Sequence, residues 1–295
     1  MINDMPIIDS HQHFWKFNPD RDGWITDNMA VLRRDFLPEE LEGIYQSVGI
    51  AGCVAVQADQ SEEETLILAN LAAEHAFIKG VVGWTDLASD GLASFLDRYQ
   101  QMPVIKGFRH IIQAEDAGTF LRKEDFCRGI GMLAERGFTY DILIYARQLP
   151  AARDFVARFP HQPFVVDHAA KPDIRSIRKG ALPRYSSSED FAWWKKEIRL
   201  LAAHPNVYCK VSGLVTEASW ASWSMDDLIP FVEVLLSAFG TKRLMFGSDW
   251  PVCLLAASDY SEMWHPLKQY LSTLSAVDQE QICYRSAIEF YKLAI

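Results

Sequence analysis

The chain has 295 residues, 49% hydrophobic and 23% charged, as in a soluble globular protein, and the length suits one large domain over residues 1–295. The net charge of −10, without a long basic run, argues against nucleic acid as a partner, since phosphate binding needs clustered Lys and Arg. No apolar stretch approaches the roughly 20 residues that would cross a bilayer, so no membrane partner is expected.

Short apolar strands alternate with longer amphipathic segments along the whole chain. The strands read as 5–9, 52–57, 78–84, 103–109, 138–145, 163–168, 206–212 and 243–249. Helical segments fall between them, near 38–48, 61–76, 90–101, 123–136, 147–158, 189–203, 226–239 and 256–272, with a last one at about 276–293. Ser61-Glu62-Glu63-Glu64 is a capping-box start, and Pro38 opens another helix. Gly49, Gly137 and Gly240 follow helices where left-handed stops are needed. Eight strands, each followed by a helix, predict an α/β chain folded as a single (β/α)8 TIM barrel. An open doubly wound sheet would carry a glycine-rich phosphate loop after its first strand; this one runs into His11-Gln12-His13-Phe14-Trp15. Two loops are long, Phe14 to Leu37 and Lys171 to Ser188, the latter with Lys171, Arg175, Arg178, Lys179 and Arg184. Loops of that length in compact folds serve as lids or binding loops, here over the C-terminal mouth.

In such a barrel the active site lies at the C-terminal strand ends. Those ends carry His11 and His13, Gln57, Trp84 and Asp86, then Lys106, Arg109 and His110, then Asp141 and Tyr145. Asp167, His168 and Lys171, then Lys210 and Ser212, then Asp249 and Trp250 complete the set. His11 and His13, two apart on a strand, point to one side, where they can bind a metal or polarise a carbonyl. Bland readings exist for each: Asp249 as a structural ion pair with Arg109, His168 as a backbone cap, Trp84 and Trp250 as walls. Alternation places Asp167 on the opposite side of its strand from His168. The cysteines, Cys53, Cys127, Cys209, Cys253 and Cys283, form no CxxC pair and read as reduced thiols of a cytoplasmic protein.

The segments IIDSHQHFW, GWI, LRRDF, VQA, KGFRH, VVDHAAKP, CKVSGL and LMFGSDWP, in this order from residue 7 to residue 251, resemble the amidohydrolase superfamily. Within it the chain is similar to the amidohydrolase-related group of sugar lactonases, of L-fuconolactonase and L-rhamnonolactonase type. The resemblance implies a metal pattern in which His11 and His13, His168 and Asp249 match. Strand 5 offers no histidine, although Tyr145 stands near its end, and a bridging lysine would have to be Lys106. The pattern therefore supports at most one divalent metal ion, zinc preferred, and the group also contains metal-independent lactonases.

Opening a lactone needs an activated water, a polarised carbonyl and a proton for the leaving alkoxide. The assigned roles are Asp249 as base and then acid, with His11, His13 and His168 as electrophilic donors or ligands and Arg109 on the oxyanion. Gln57, Lys106, Lys210, Trp24, Tyr145 and Trp250 are assigned to the sugar ring. The expected partner is a small-molecule sugar lactone, with homo-oligomerisation left open. A metal-dependent decarboxylase of the same group is the alternative reading, and a non-catalytic sugar-binding protein the remaining one.

Overall fold

The computed structural model describes residues 5–175 and 189–295. Eight parallel strands follow one another around a barrel: β1 (Ile8–Gln12), β2 (Gly52–Val56), β3 (Ile78–Gly83), β4 (Ile105–Ile111), β5 (Thr139–Leu143), β6 (Phe164–Val166), β7 (Val207–Val211) and β8 (Leu244–Phe246). They are short, rich in Val and Ile, and almost wholly buried, as parallel strands covered by helices must be. The barrel closes where β8 meets β1. Asp249 N donates to His11 O at 2.8 Å, and His13 N donates to Trp250 O at 2.7 Å. The two chain segments with the most distinctive sequence are thus hydrogen-bonded to each other.

The main helices are α1 (Pro38–Val48), α2 (Glu62–Glu74), α3 (Leu92–Gln100), α4 (Ala117–Phe120), α5 (Glu124–Arg136), α6 (Leu149–Val156), α7 (Glu189–Ala202), α8 (Leu214–Glu217), α9 (Met225–Phe239), α10 (Tyr260–Leu271), α11 (Ala276–Glu280) and α12 (Ser286–Tyr291). Ser61 caps α2 by accepting from Glu64 N, but Glu64 does not reach back to complete a capping box. Its carboxylate instead accepts from Ala58 N and Asp59 N, tying the β2 end to the helix. Gly49 and Gly137 take the expected left-handed stop, whereas Gly240 has φ 65° with an extended ψ of 167°. One apolar cluster joins Ile8, Val54, Val56, Val82, Val165 and Met245 of the strands to Phe290, Tyr291 and Leu293 of the C-terminal segment. The other, larger one packs the helices around the strands. Among the described residues no helix is long and apolar enough to cross a membrane.

The strand ends shift by one to three residues from expectation, β1 and β4 running on to Gln12 and Ile111 and the others stopping earlier, and two of the shifts shape the site. β8 stops at Phe246, so Asp249 stands beyond the ladder with φ 58°. β6 stops at Val166, and the next residues break alternation: His168, Ala169, Ala170 and Lys171 have φ of 53°, 51°, 60° and 48°. Each left-handed non-glycine residue costs roughly 1–2 kcal/mol, so surrounding packing must hold the turn. Trp194 of α7 contributes by donating its indole N–H to Ala169 O at 3.0 Å. Of the second long loop, Arg178, Lys179 and Arg184 lie outside the described residues.

Candidate active site

The site begins with Asp9, a fully buried carboxylate. It accepts from Tyr45 Oη (2.8 Å), Tyr260 Oη (3.0 Å), His11 N (3.1 Å) and Ser248 N (2.8 Å). It therefore fixes the backbone beside His11 to the backbone beside Asp249. A register shift between Asp9 and Gln12 in the β1–β2 pairing lies at the same place. Gln12 points to Cys53, with its amide 3.3 Å from the Sγ, while His11 and His13 lie on the other side, edge-to-face at a centroid distance of 4.9 Å.

Three imidazoles converge on one oxygen. Asp249 Oδ1 lies 3.4 Å from His13 Nε2, 3.7 Å from His168 Nε2 and 3.8 Å from His11 Nε2, and the last is 3.2 Å from His13 Nε2. Tetrahedral zinc, with bonds of roughly 2.0–2.1 Å, sets its ligand atoms about 3.3–3.4 Å apart, so this donor set has the dimensions of one metal site. The outer nitrogens are engaged: His13 Nδ1 is 2.7 Å from Val56 O, and His168 Nδ1 is 2.9 Å from Ser212 Oγ. Such contacts orient ligand imidazoles. Burial pushes His11 well below its usual value, reinforced by Lys210, and it lowers His168 to about 4 against the pull of Asp249. Both are neutral at pH 7, as ligation requires. Burial pushes the Asp249 carboxyl upward, but His168, His13 and His11 outweigh it and hold the group below the usual carboxylate range.

Beneath lies a second, fully buried layer. Lys210 Nζ contacts Asp141 Oδ2 (2.5 Å), Asp167 Oδ1 (3.0 Å) and His11 Nδ1 (3.1 Å). Arg109 donates from Nη1 to Asp167 Oδ2 (3.0 Å) and from Nη2 to the carbonyl and side-chain oxygens of Gln57, the latter at 2.9 Å. Tyr291 Oη donates to Asp141 Oδ2 at 2.7 Å, linking the layer to α12. Burial raises Asp141 to about 6 against the pull of Lys210; burial would also raise Asp167, but Lys210 and His11 bring it well below the ordinary value. With Asp141, Asp167 and Asp249 ionised, Lys210 and Arg109 face three buried anions, and beside neutral imidazoles these five groups carry a net negative charge. A cation among the imidazoles would offset it.

Above the imidazoles opens a cavity of about 430 Å³, lined in part by His13, Arg109, His168, Asp249, Trp24 and Tyr145. Two buried polar atoms beneath this cavity have no hydrogen-bond partner among the described residues: Asp249 Oδ2, which lies against Gly213, and Arg109 Nε. His11 is buried behind the imidazoles that face the cavity. Gln57 and Lys210, assigned to the sugar from sequence, are buried and hold Arg109 and His11 instead. Trp250 is also buried, packed edge-to-face on Phe14 and Phe36. Lys106 is corrected outright. It sits at the start of β4, and its Nζ donates to Lys292 O at 3.1 Å, near the C-terminal segment that closes the opposite end of the barrel. Asp167 does not lie opposite His168, because the left-handed turn brings both inward. Sequence reading missed Trp220 and Glu217 on the cavity wall, for which a tryptophan and an acid soon after the seventh strand were the only signal. Gly213 lies against the site: a Cβ there would stand 2.5 Å from His168 Nδ1 and 3.0 Å from Asp249 Oδ2.

Known proteins are similar to this one along nearly the whole chain. An L-fucono-1,5-lactonase of Burkholderia multivorans is 39% identical over 292 residues, covering 97% of this chain and 96% of that protein. An L-fucono-1,5-lactonase of Burkholderia ambifaria is 36% identical, covering 84% of this chain and 81% of its own. A crystal structure of a Burkholderia multivorans amidohydrolase with bound zinc superposes with a TM-score of 0.90 at 38% identity, covering 98% of this chain and all of that one. The amidohydrolase family model matches residues 8–293, and the chain belongs to the amidohydrolase family.

Proposed function

We propose that this chain is a lactonase that opens sugar lactones, of the L-fucono-1,5-lactone class, by adding water to the ring ester. The observation that carries this reading is the floor of the cavity. There Asp249 turns one oxygen to three imidazoles, and Arg109 lines the same cavity. The similarity to L-fucono-1,5-lactonases across nearly the whole chain supports the substrate class.

In the reaction, the Asp249 carboxylate accepts a proton as water attacks the lactone carbonyl carbon. The pair of electrons displaced onto the carbonyl oxygen is stabilised by the Arg109 guanidinium, which Gln57 and Asp167 hold rigid. When the tetrahedral intermediate collapses, the ring C–O bond breaks and Asp249 returns its proton to the leaving alkoxide. Because the imidazoles depress Asp249, it is a weak base, and the burden falls on stabilising the oxyanion. His11, His13, His168 and Asp249 are the residues that would hold one zinc ion, whose chemistry would be to polarise the carbonyl or acidify water. Trp24 and Tyr145 offer aromatic faces to the C–H face of a sugar ring.

The test is a panel of aldonolactones followed with a pH indicator, with and without added zinc. Turnover of 1,5-lactones is expected. Decarboxylation of an aromatic acid panel in the absence of lactone turnover would favour the decarboxylase alternative.

A further inference from the structure

The left-handed turn at His168–Lys171 aims more than a histidine. Strained backbone persists where the surrounding structure over-determines it, and it concentrates at functional sites. The turn closes with Lys171 N donating to His168 O at 2.8 Å, and both side chains line the cavity. Across from Lys171 is Glu217, the last residue of α8, with Lys171 Nζ 3.5 Å from Glu217 Oε1. Arg175 N donates to Glu217 O at 3.0 Å, so the chain after the turn is pinned to the end of α8. Both charged side chains are largely but not wholly enclosed, at 18% and 16% exposure. Burial raises the Glu217 carboxyl, against the pull of Lys171 and Arg175.

A tight ammonium–carboxylate contact measures about 2.7–2.9 Å. At 3.5 Å this pair is looser, and it uses little of what an ammonium can donate or a carboxylate accept. A hydroxyl can accept from one and donate to the other. Trp15 and Trp220 line the same cavity as the pair. The mechanism above has no use for Lys171 or Glu217.

We propose that Lys171 and Glu217 form the specificity end of the cavity, reading the ring hydroxyls of the lactone bound over Asp249. This rests on the lactonase reading. The experiment measures kcat and KM for aldono-1,5-lactones that are epimers at single ring carbons, using wild type, Lys171→Met, Glu217→Gln and the double variant. Thermal melting confirms folding. The double variant matters because either single change leaves its partner buried without its counter-charge.

The expected result is a fall of about 10–100-fold in kcat/KM for the preferred epimer, the worth of a hydrogen bond to a charged group. The poorest measurable epimer should stay within about twofold, so discrimination collapses toward one. An equal loss on every epimer would overturn the proposal in favour of a structural role. Unchanged discrimination in the folded double variant, or a wild type that does not discriminate, would also overturn it. A wild type that opens none of the lactones rejects the lactonase reading, and this proposal with it.

Discussion

Replacing Lys210 by methionine removes one ammonium from a fully buried position. Lys210, Asp141 and Asp167 are all fully buried, and the ammonium lies 2.5 Å from one carboxylate and 3.0 Å from the other. Asp167 keeps Arg109 and His11, but among the described residues Asp141 keeps only the hydroxyl of Tyr291. Taking one partner from a buried ion pair costs about 3–5 kcal/mol. For a chain of this size that lowers the melting temperature by roughly 5–15 °C. The pH dependence is the sharper signature. Lys210 pulls both carboxyls down, so its loss raises their folded-state pKa values. A carboxyl raised on folding stabilises fully only below its unfolded value, and that contribution is lost as pH rises through the folded value. The deficit of Lys210→Met should therefore be larger at pH 8 than at pH 5, and adding Asp141→Asn should recover part of it at pH 8. Melting curves of the three proteins at both pH values decide the matter. An equal deficit at pH 5 and pH 8, with no recovery in the double variant, would refute the reasoning.

Gly213→Ala forces a Cβ to within 2.5 Å of His168 at φ 62°, so kcat/KM should fall by about 100-fold. Near wild-type turnover in a folded Gly213→Ala protein would show that the seat beneath His168 is not tight. His168 is lowered to about 4 and His11 is also lowered, so kcat/KM should stay level from pH 8 to about 5 and fall below that. Because these imidazoles titrate lower in the folded state than in the unfolded chain, stability should decline as pH drops from about 6.5 toward 4; an acid limb centred near 6.5 would contradict the assignment. Elemental analysis after zinc loading should find at most one tightly held ion per chain. The carboxylate that β5 presents in place of a histidine, Asp141, is already taken by Lys210, and two tightly held ions would refute this.

Much of the site was legible because its residues lie toward or just past the C-terminal ends of apolar strands. His11, His13, Arg109, His168 and Asp249 all stand where a hydrophobic run meets a polar residue, and the barrel brings them together. Lys106 misled because it shares a segment with Arg109, yet three residues along a strand span about 10 Å, enough to move it toward the other end of the barrel. Asp167 misled because alternation holds only while the backbone stays extended, and a left-handed turn held by tertiary packing leaves no periodic trace. The pairing of Asp141 with Lys210 joins residues on β5 and β7, and no local pattern announces it. Gln57 and Lys210 were located correctly at strand ends; burial gave them supporting contacts in place of the sugar.

The central claim is that Asp249 moves the proton in lactone opening. The direct measurement is kcat for an aldono-1,5-lactone with wild type and Asp249→Asn, alongside product inhibition to report binding. The amide keeps the shape but cannot accept the proton, so kcat should fall by about 10²–10⁴-fold while the inhibition constant changes little. Turnover by folded Asp249→Asn at near the wild-type rate would contradict the account and shift the base to one of the three imidazoles.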